Sequence, residues 1–141
     1  MLSFICNLIP RSVNAKYCDK YKAELARAFT RYHKTVGLLE GELYGIVYYF
    51  VNRKTDVDAD NISKPIWDSL EGIAYADDKI IKMRYSGIYN LREISIGEID
   101  ISNIPDVVFD NFMEFIDNED HVLYIELGRF DRSMFKFNIE R

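Results

Sequence analysis

Residues 43–80 read LYGIVYYFVNRKTDVDADNISKPIWDSLEGIAYADDKI. The stretch opens on Leu43–Val51, a run of β-branched and aromatic residues that predicts a central strand. Arg53 and Lys54 close the run, and Asp56, Asp58 and Asp60 follow at alternate positions. Ile62, Ile66, Leu70 and Ile73 then recur four or three apart, which is helical spacing. Pro65 lacks a backbone N–H and is tolerated only in a first turn, so the regular helix is expected to begin near Ser63. A turn over Ile73–Asp78 carries Tyr75 and the acidic pair Asp77-Asp78. The order is strand, acidic cluster, helix, acidic pair.

Carboxylates packed this closely repel one another unless a cation lies between them. A calcium loop of the EF-hand type fits DxDxD at its first, third and fifth positions. It fails at Asn61, where glycine is needed, and at Trp67, where a bidentate glutamate is needed. Helix capping by Asp60 or Ser63 accounts for one acid and leaves the others. A divalent-metal site for phosphodiester chemistry accounts for more of them. In extended chain Asp58 and Asp60 point to the same side, Asp78 arrives from beyond the helix, and Lys64 lies one turn after Asp60 with a cation to offer a phosphate.

Outward from this stretch, Leu2–Ile9 predicts a short strand and Pro10–Asn14 a loop. Cys18 to about Val36 has helical period, with Tyr21, Leu25, Ala28, Phe29 and Tyr32 on one face and Lys20, Arg27, Arg31 and Lys34 on another. Lys79–Tyr89 predicts a strand in which Ile81, Met83 and Tyr85 alternate against Lys82 and Arg84. Leu91–Ile101 is read as a further strand. Pro105–Asp117 is expected to be an amphipathic helix whose apolar face is Val108, Phe109, Phe112, Phe115 and Ile116. Val122–Leu127 is a strand candidate, and Met134–Ile139 a strand or tail.

The chain has 141 residues, 48% hydrophobic and 29% charged, which suits one domain with one sizeable core. No apolar run approaches the roughly 20 residues of a membrane span. The N-terminus has no basic leader before its apolar residues, so an intracellular, cytoplasmic protein is expected. The net charge of −5 is uneven. Residues 1–64 hold ten Lys and Arg against seven acids, and residues 65–141 hold eight against sixteen. A basic half beside an acidic half permits nucleic-acid binding. Cys6 and Cys18 form no paired ligand motif and are read as small buried hydrophobes or free thiols. His33 and His121 lie far apart, which argues against a zinc site or a nucleophilic triad.

The series Asp58-Ala59-Asp60-Asn61-Ile62-x-Lys64-Pro65-Ile66-x-Asp68-x-Leu70, then Gly72 and Tyr75-Ala76-Asp77-Asp78-Lys79-Ile80, resembles the RusA family of Holliday junction resolvases. Pro10-Arg11-Ser12-Val13-Asn14 resembles that family's N-terminal loop. The resemblance covers roughly residues 4–100. It implies an α+β fold, a single domain whose small mixed β-sheet is packed by helices. A motif-bearing core of about residues 1–100 would precede a C-terminal extension of about 101–141 with an acidic helix and a strand. It implies a homodimeric endonuclease, dependent on Mg²⁺ or Mn²⁺, that cuts four-way junction DNA by paired symmetric nicks. Asp58, Asp60 and Asp78 would be its metal-binding carboxylates and Lys64 its essential basic residue; Asp68 and Asp77 also match the motif. Val57 stands where some members carry an arginine, so any DNA contact of that residue falls to Arg53 or Lys54. Arg11, Lys16, Lys20, Arg27, Arg53 and Lys54 are the candidates to hold the DNA backbone. Two other classes stay open: a junction-binding protein with little catalysis, and a metal-dependent phosphohydrolase acting on nucleotides, although a Gly-rich phosphate loop is lacking.

Overall fold

The computed structural model describes residues 1–10, 18–34 and 37–137. Among the described residues, four strands and three helices follow in the order β1 (Leu2–Cys6), α1 (Cys18–Tyr32), β2 (Leu43–Val51), α2 (Ala59–Leu70), β3 (Ile81–Asn90), α3 (Asp106–Asn118) and β4 (His121–Arg129). The strands form one mixed sheet in the order β1-β4-β2-β3. β2 and β3 run parallel, joined by α2, while β4 is antiparallel to both β1 and β2. This is an α+β fold with an open sheet.

Two apolar layers hold the sheet. On one face, α1 and α2 press Leu25, Phe29, Ile62, Ile66, Trp67 and Leu70 against Phe4, Val47, Tyr49 and Ile125. On the other, α3 sets Val108 and Phe112 against Ile5, Phe50, Val122 and Tyr124. The apolar periods of α1 and α2 expected from the sequence are therefore the buried faces. On α3, Val108 and Phe112 are buried and Phe109 is exposed. Cys6 is buried, and burial pushes its thiol pKa up to about 12. Among the described residues no helix is long and apolar enough to cross a membrane.

Several boundaries differ from expectation. α2 begins at Ala59, with Asp58 as its N-cap residue, and so contains Pro65. Pro65 is the seventh helical residue, and its ring is buried in the core. Ser69 Oγ donates to the Pro65 carbonyl at 2.5 Å. β1 ends at Cys6 and α1 at Tyr32; Val36 lies outside the described residues. Leu91–Ile101 is not a strand. Its isoleucines mimic strand alternation, yet the backbone is taken by local bonds. Ser95 and Glu98 cap a 3₁₀ turn over Ile96–Glu98 reciprocally, and Asp100 accepts from the Ser102 N–H at 3.0 Å. Ile96, Ile99, Ile101 and Ile104 pack on the second core instead. Arg132–Met134 is a 3₁₀ turn and Phe135–Phe137 is irregular; residues 138 and 139 lie outside the described residues.

The alternation read along β3 breaks at its start. Leu43 pairs with Ile81 but Tyr44 pairs with Met83, a bulge at Lys82. Ile81 therefore faces the first core, while Tyr89 packs on the second. Arg84 is paired with Gly45 and lies on the side covered by α2. This one-residue shift carries Arg84 to the candidate site. The chain after residue 100 supplies β4, an internal strand bonded on both sides.

Candidate active site

The crossover from β2 to β3 positions the functional side chains. α2 buries Ile62, Ile66 and Leu70 and leaves Asp60, Lys64, Asp68 and Glu71 outward on successive turns. Its packing on β2 depends on Gly45. A Cβ there would lie 2.6 Å from the Trp67 ring. The Trp67 indole N–H donates to Ser63 Oγ at 2.9 Å, and the Trp67 carbonyl accepts from the buried Tyr75 hydroxyl. Burial pushes the Tyr75 phenol pKa well up, and the nearby Asp78 carboxylate adds to the shift.

The end of α2 is fixed just as closely. Gly72 takes φ +83°, the left-handed conformation that closes a helix. Its N–H donates to the Tyr75 carbonyl at 2.7 Å, and the Ala74 N–H donates to Leu70 at 2.9 Å. This turn folds the acidic pair back beside the helix end. Glu71, Asp77 and Asp78 each offer a carboxylate oxygen, and these oxygens all lie within 4.8 Å of one another. The Asp78 N–H donates to Glu71 Oε1 at 3.4 Å, and Asp77 accepts from the Lys79 N–H at 2.9 Å. Among the described residues this is the group of acids close enough to share a cation.

Asp58 and Asp60 are not in that trio. Both are exposed at the head of α2, and Asp58 makes no side-chain capping bond. Ten helical residues lie between Asp60 and the C-cap residue Glu71, a rise of about 16 Å from one to the other. The two acidic clusters of the sequence therefore stand at opposite ends of one helix, with Lys64 between them. Lys64 is paired with Asp68 at 3.3 Å. An open cleft of about 460 Å³ is lined by Asp60, Ser63, Lys64, Arg84, Tyr85 and Ser86. Arg84 donates to Asp78 Oδ2 at 3.2 Å and to the Asp78 carbonyl at 3.1 Å. Arg84 thus links the cleft beside Asp60 and Lys64 to the trio that contains Asp78.

Glu71 and Arg84 are the two site residues that sequence reasoning missed. Glu71 had a signal: an acid in the last turn opposes the helix dipole and needs another reason to be there. Arg84 had none, because the bulge that turns it toward α2 is not visible in the residue pattern.

The residues expected to hold DNA are scattered. Arg11 and Lys16 lie outside the described residues. Lys20 and Arg27 are exposed on α1, where Arg27, Thr30, Arg31 and Lys34 line a shallow basic hollow. Arg53 is bound to Asp120, and Lys54 is exposed. Val57 packs against the first core, so it contributes structure where an arginine would contribute charge.

Oxygen donors converging without histidine or cysteine suit a hard divalent cation. Fold and site together define a mixed-sheet protein whose parallel crossover carries an open polar cleft beside a trio of carboxylates. The family model for endodeoxyribonuclease RusA matches residues 12–96, and the chain belongs to that family of nucleases. No curated protein matches it.

Proposed function

We propose that the chain is a Mg²⁺-dependent endodeoxyribonuclease that resolves four-way DNA junctions by paired nicks, acting inside the cell as a homodimer in recombination and repair. The observation that carries this reading is the cleft itself. Asp60 and Lys64 border it directly, and Arg84 ties Asp78 to its rim. One motif acid, Asp60, and two cations, Lys64 and Arg84, therefore face one space large enough for a phosphodiester, and Asp78 is joined to it through Arg84.

In this reading Asp78 holds the cation, with Glu71 and Asp77 as the neighbouring donors the geometry offers. Asp58 and Asp60 are the acids the motif adds from the head of α2. A bound divalent cation, Mg²⁺ or Mn²⁺, supplies charge neutralisation and a more acidic water. Lys64 balances charge that develops on the phosphate. The 3.3 Å pair with Asp68 orients its ammonium along the helix. Lys20, Arg27 and Lys54 attract the backbone, which makes affinity fall steeply with salt. Two copies related by two-fold symmetry match the near-symmetry of the junction.

The test offers the protein a synthetic four-way junction, linear duplex and free nucleotides, each with Mg²⁺ or EDTA. Paired nicks in the junction alone, with Mg²⁺ alone, are expected. Equal cutting of linear duplex refutes junction selectivity, and turnover of nucleotides instead points to the phosphohydrolase class. Binding of the junction with no cleavage at any Mg²⁺ concentration leaves a junction-binding protein. Asp58→Asn, Asp60→Asn and Asp78→Asn each abolish cleavage while retaining junction binding; persistent cleavage by any of them removes that residue from the site.

A further inference from the structure

Arg84 stands between two partners that compete for it. Its guanidinium spends one nitrogen on Asp78, bonding the carboxylate at 3.2 Å and the carbonyl at 3.1 Å. The same side chain borders the cleft that Lys64 also lines. It is 34% exposed, so it is neither locked in the core nor free in solvent. A cation at Asp78 and a guanidinium on the same carboxylate are neighbouring like charges, and each disfavours the other. A guanidinium displaced from Asp78 stays anchored on β3 beside the cleft. Its remaining N–H groups form the planar fork that suits phosphate.

We infer that Arg84 is a phosphate-binding residue whose grip on DNA is switched on by the divalent cation. It holds Asp78 in the cation-free protein and turns onto the backbone phosphate once a cation takes that carboxylate. The inference rests on the Mg²⁺-dependent reading above. It adds an order of events: cation first, then the full phosphate grip. It also explains how Asp78 keeps a fixed position beside Glu71 and Asp77 before any cation arrives, since one positive charge offsets the acids around it.

Two titrations on the full chain test it, comparing wild type with Arg84→Gln. The first measures Mg²⁺ binding by calorimetry without DNA. Removing the competing guanidinium tightens Mg²⁺ binding about two- to five-fold, the scale of an exposed ion pair. The second measures the salt dependence of binding to a four-way junction, in Ca²⁺ and in EDTA. In Ca²⁺ the wild-type log–log slope is steeper than that of Arg84→Gln by about one per site; in EDTA the two slopes agree. Unchanged or weaker Mg²⁺ binding by Arg84→Gln overturns the inference, as does an equal slope difference in EDTA. Arg84→Lys retains the positive charge and the Ca²⁺-dependent slope. It carries the second titration alone should the glutamine variant not fold, and loss of the Ca²⁺-dependent slope in it then overturns the inference. Wild-type protein that binds neither Mg²⁺ nor the junction fails the underlying function, an outcome separate from a wild type that binds both while Arg84→Gln changes nothing.

Discussion

Gly45→Ala is expected to destabilise the protein by wedging α2 off the sheet. The new Cβ would stand 2.6 Å from Trp67 Cζ2 and 2.7 Å from Cη2, where ordinary contact begins at 3.4 Å. Neither side can yield cheaply. Gly45 lies on an internal strand, paired with Arg84 on β3 and Leu127 on β4. Trp67 is fully buried and is held by Ser63 through its N–H and by Tyr75 through its carbonyl. α2 must therefore retreat as a body. Overpacking of this kind costs about 1–3 kcal/mol, and the entropy alanine removes from the unfolded chain returns about 0.4–1 kcal/mol. The net loss is about 1–2 kcal/mol, which lowers Tm by about 3–8 °C for a domain of this size. Urea unfolding followed by circular dichroism measures it, with the slope against urea unchanged. The decisive arm is a double-mutant cycle with Trp67→Phe. A phenyl ring lacks the indole's outer atoms, so Gly45→Ala should cost at least about 1 kcal/mol less in that background. An equal cost in both backgrounds would falsify the steric argument, and a neutral Gly45→Ala would refute the placement of Trp67 altogether.

Other outcomes follow from the same structure. Truncation after Gly97 removes β4, which is bonded to both β1 and β2, so the shortened chain is expected to lose its cooperative thermal transition, whereas an appended strand would leave it intact. His121 stacks on Tyr49, with the hydroxyl 2.6 Å from its Nδ1, and burial lowers its pKa below the ordinary 6.5. The unfolded chain therefore takes up a proton before the folded one does. This contribution is fully present above about pH 7 and is lost as pH falls through 6.5 toward the lower folded value; thermal melts from pH 8 to pH 5 should show a shallower decline in His121→Asn. Glu71→Gln removes one charge from the carboxylate trio and should weaken Mg²⁺ binding by calorimetry at least several-fold, and unchanged affinity would exclude Glu71 as a donor. Gly72→Ala forces a Cβ into the left-handed region and should cost about 1–2 kcal/mol in urea unfolding.

Local chemistry made much of this legible in the residues. β2 is a run of β-branched and aromatic residues, and α2 repeats its apolar residues at helical spacing, so both elements could be read one residue at a time. The same holds for α1 and for α3, whose period matches its buried face at Val108 and Phe112. Leu91–Ile101 was misread because isoleucines two and three apart look the same under a strand and under a capped 3₁₀ turn; the Ser95 and Glu98 side chains decide between them.

The sequence by itself determined the helix between two acidic clusters, the family motif through Asp58, Asp60, Lys64 and Asp78, and the apolar faces. These depend on neighbours within a few positions of one another. Only the tertiary structure decided that β4 lies between β1 and β2, because alternation says that a strand is half-buried and not which strand it joins. It also decided that Asp58 and Asp60 stand at one end of α2 while Asp78 joins Glu71 at the other. A helix of fixed rise separates residues that the motif sets close together. The bulge at Lys82 turned Arg84 from an apparent solvent-facing residue into the link between the two ends, since one extra residue in a strand reverses the face of every residue after it.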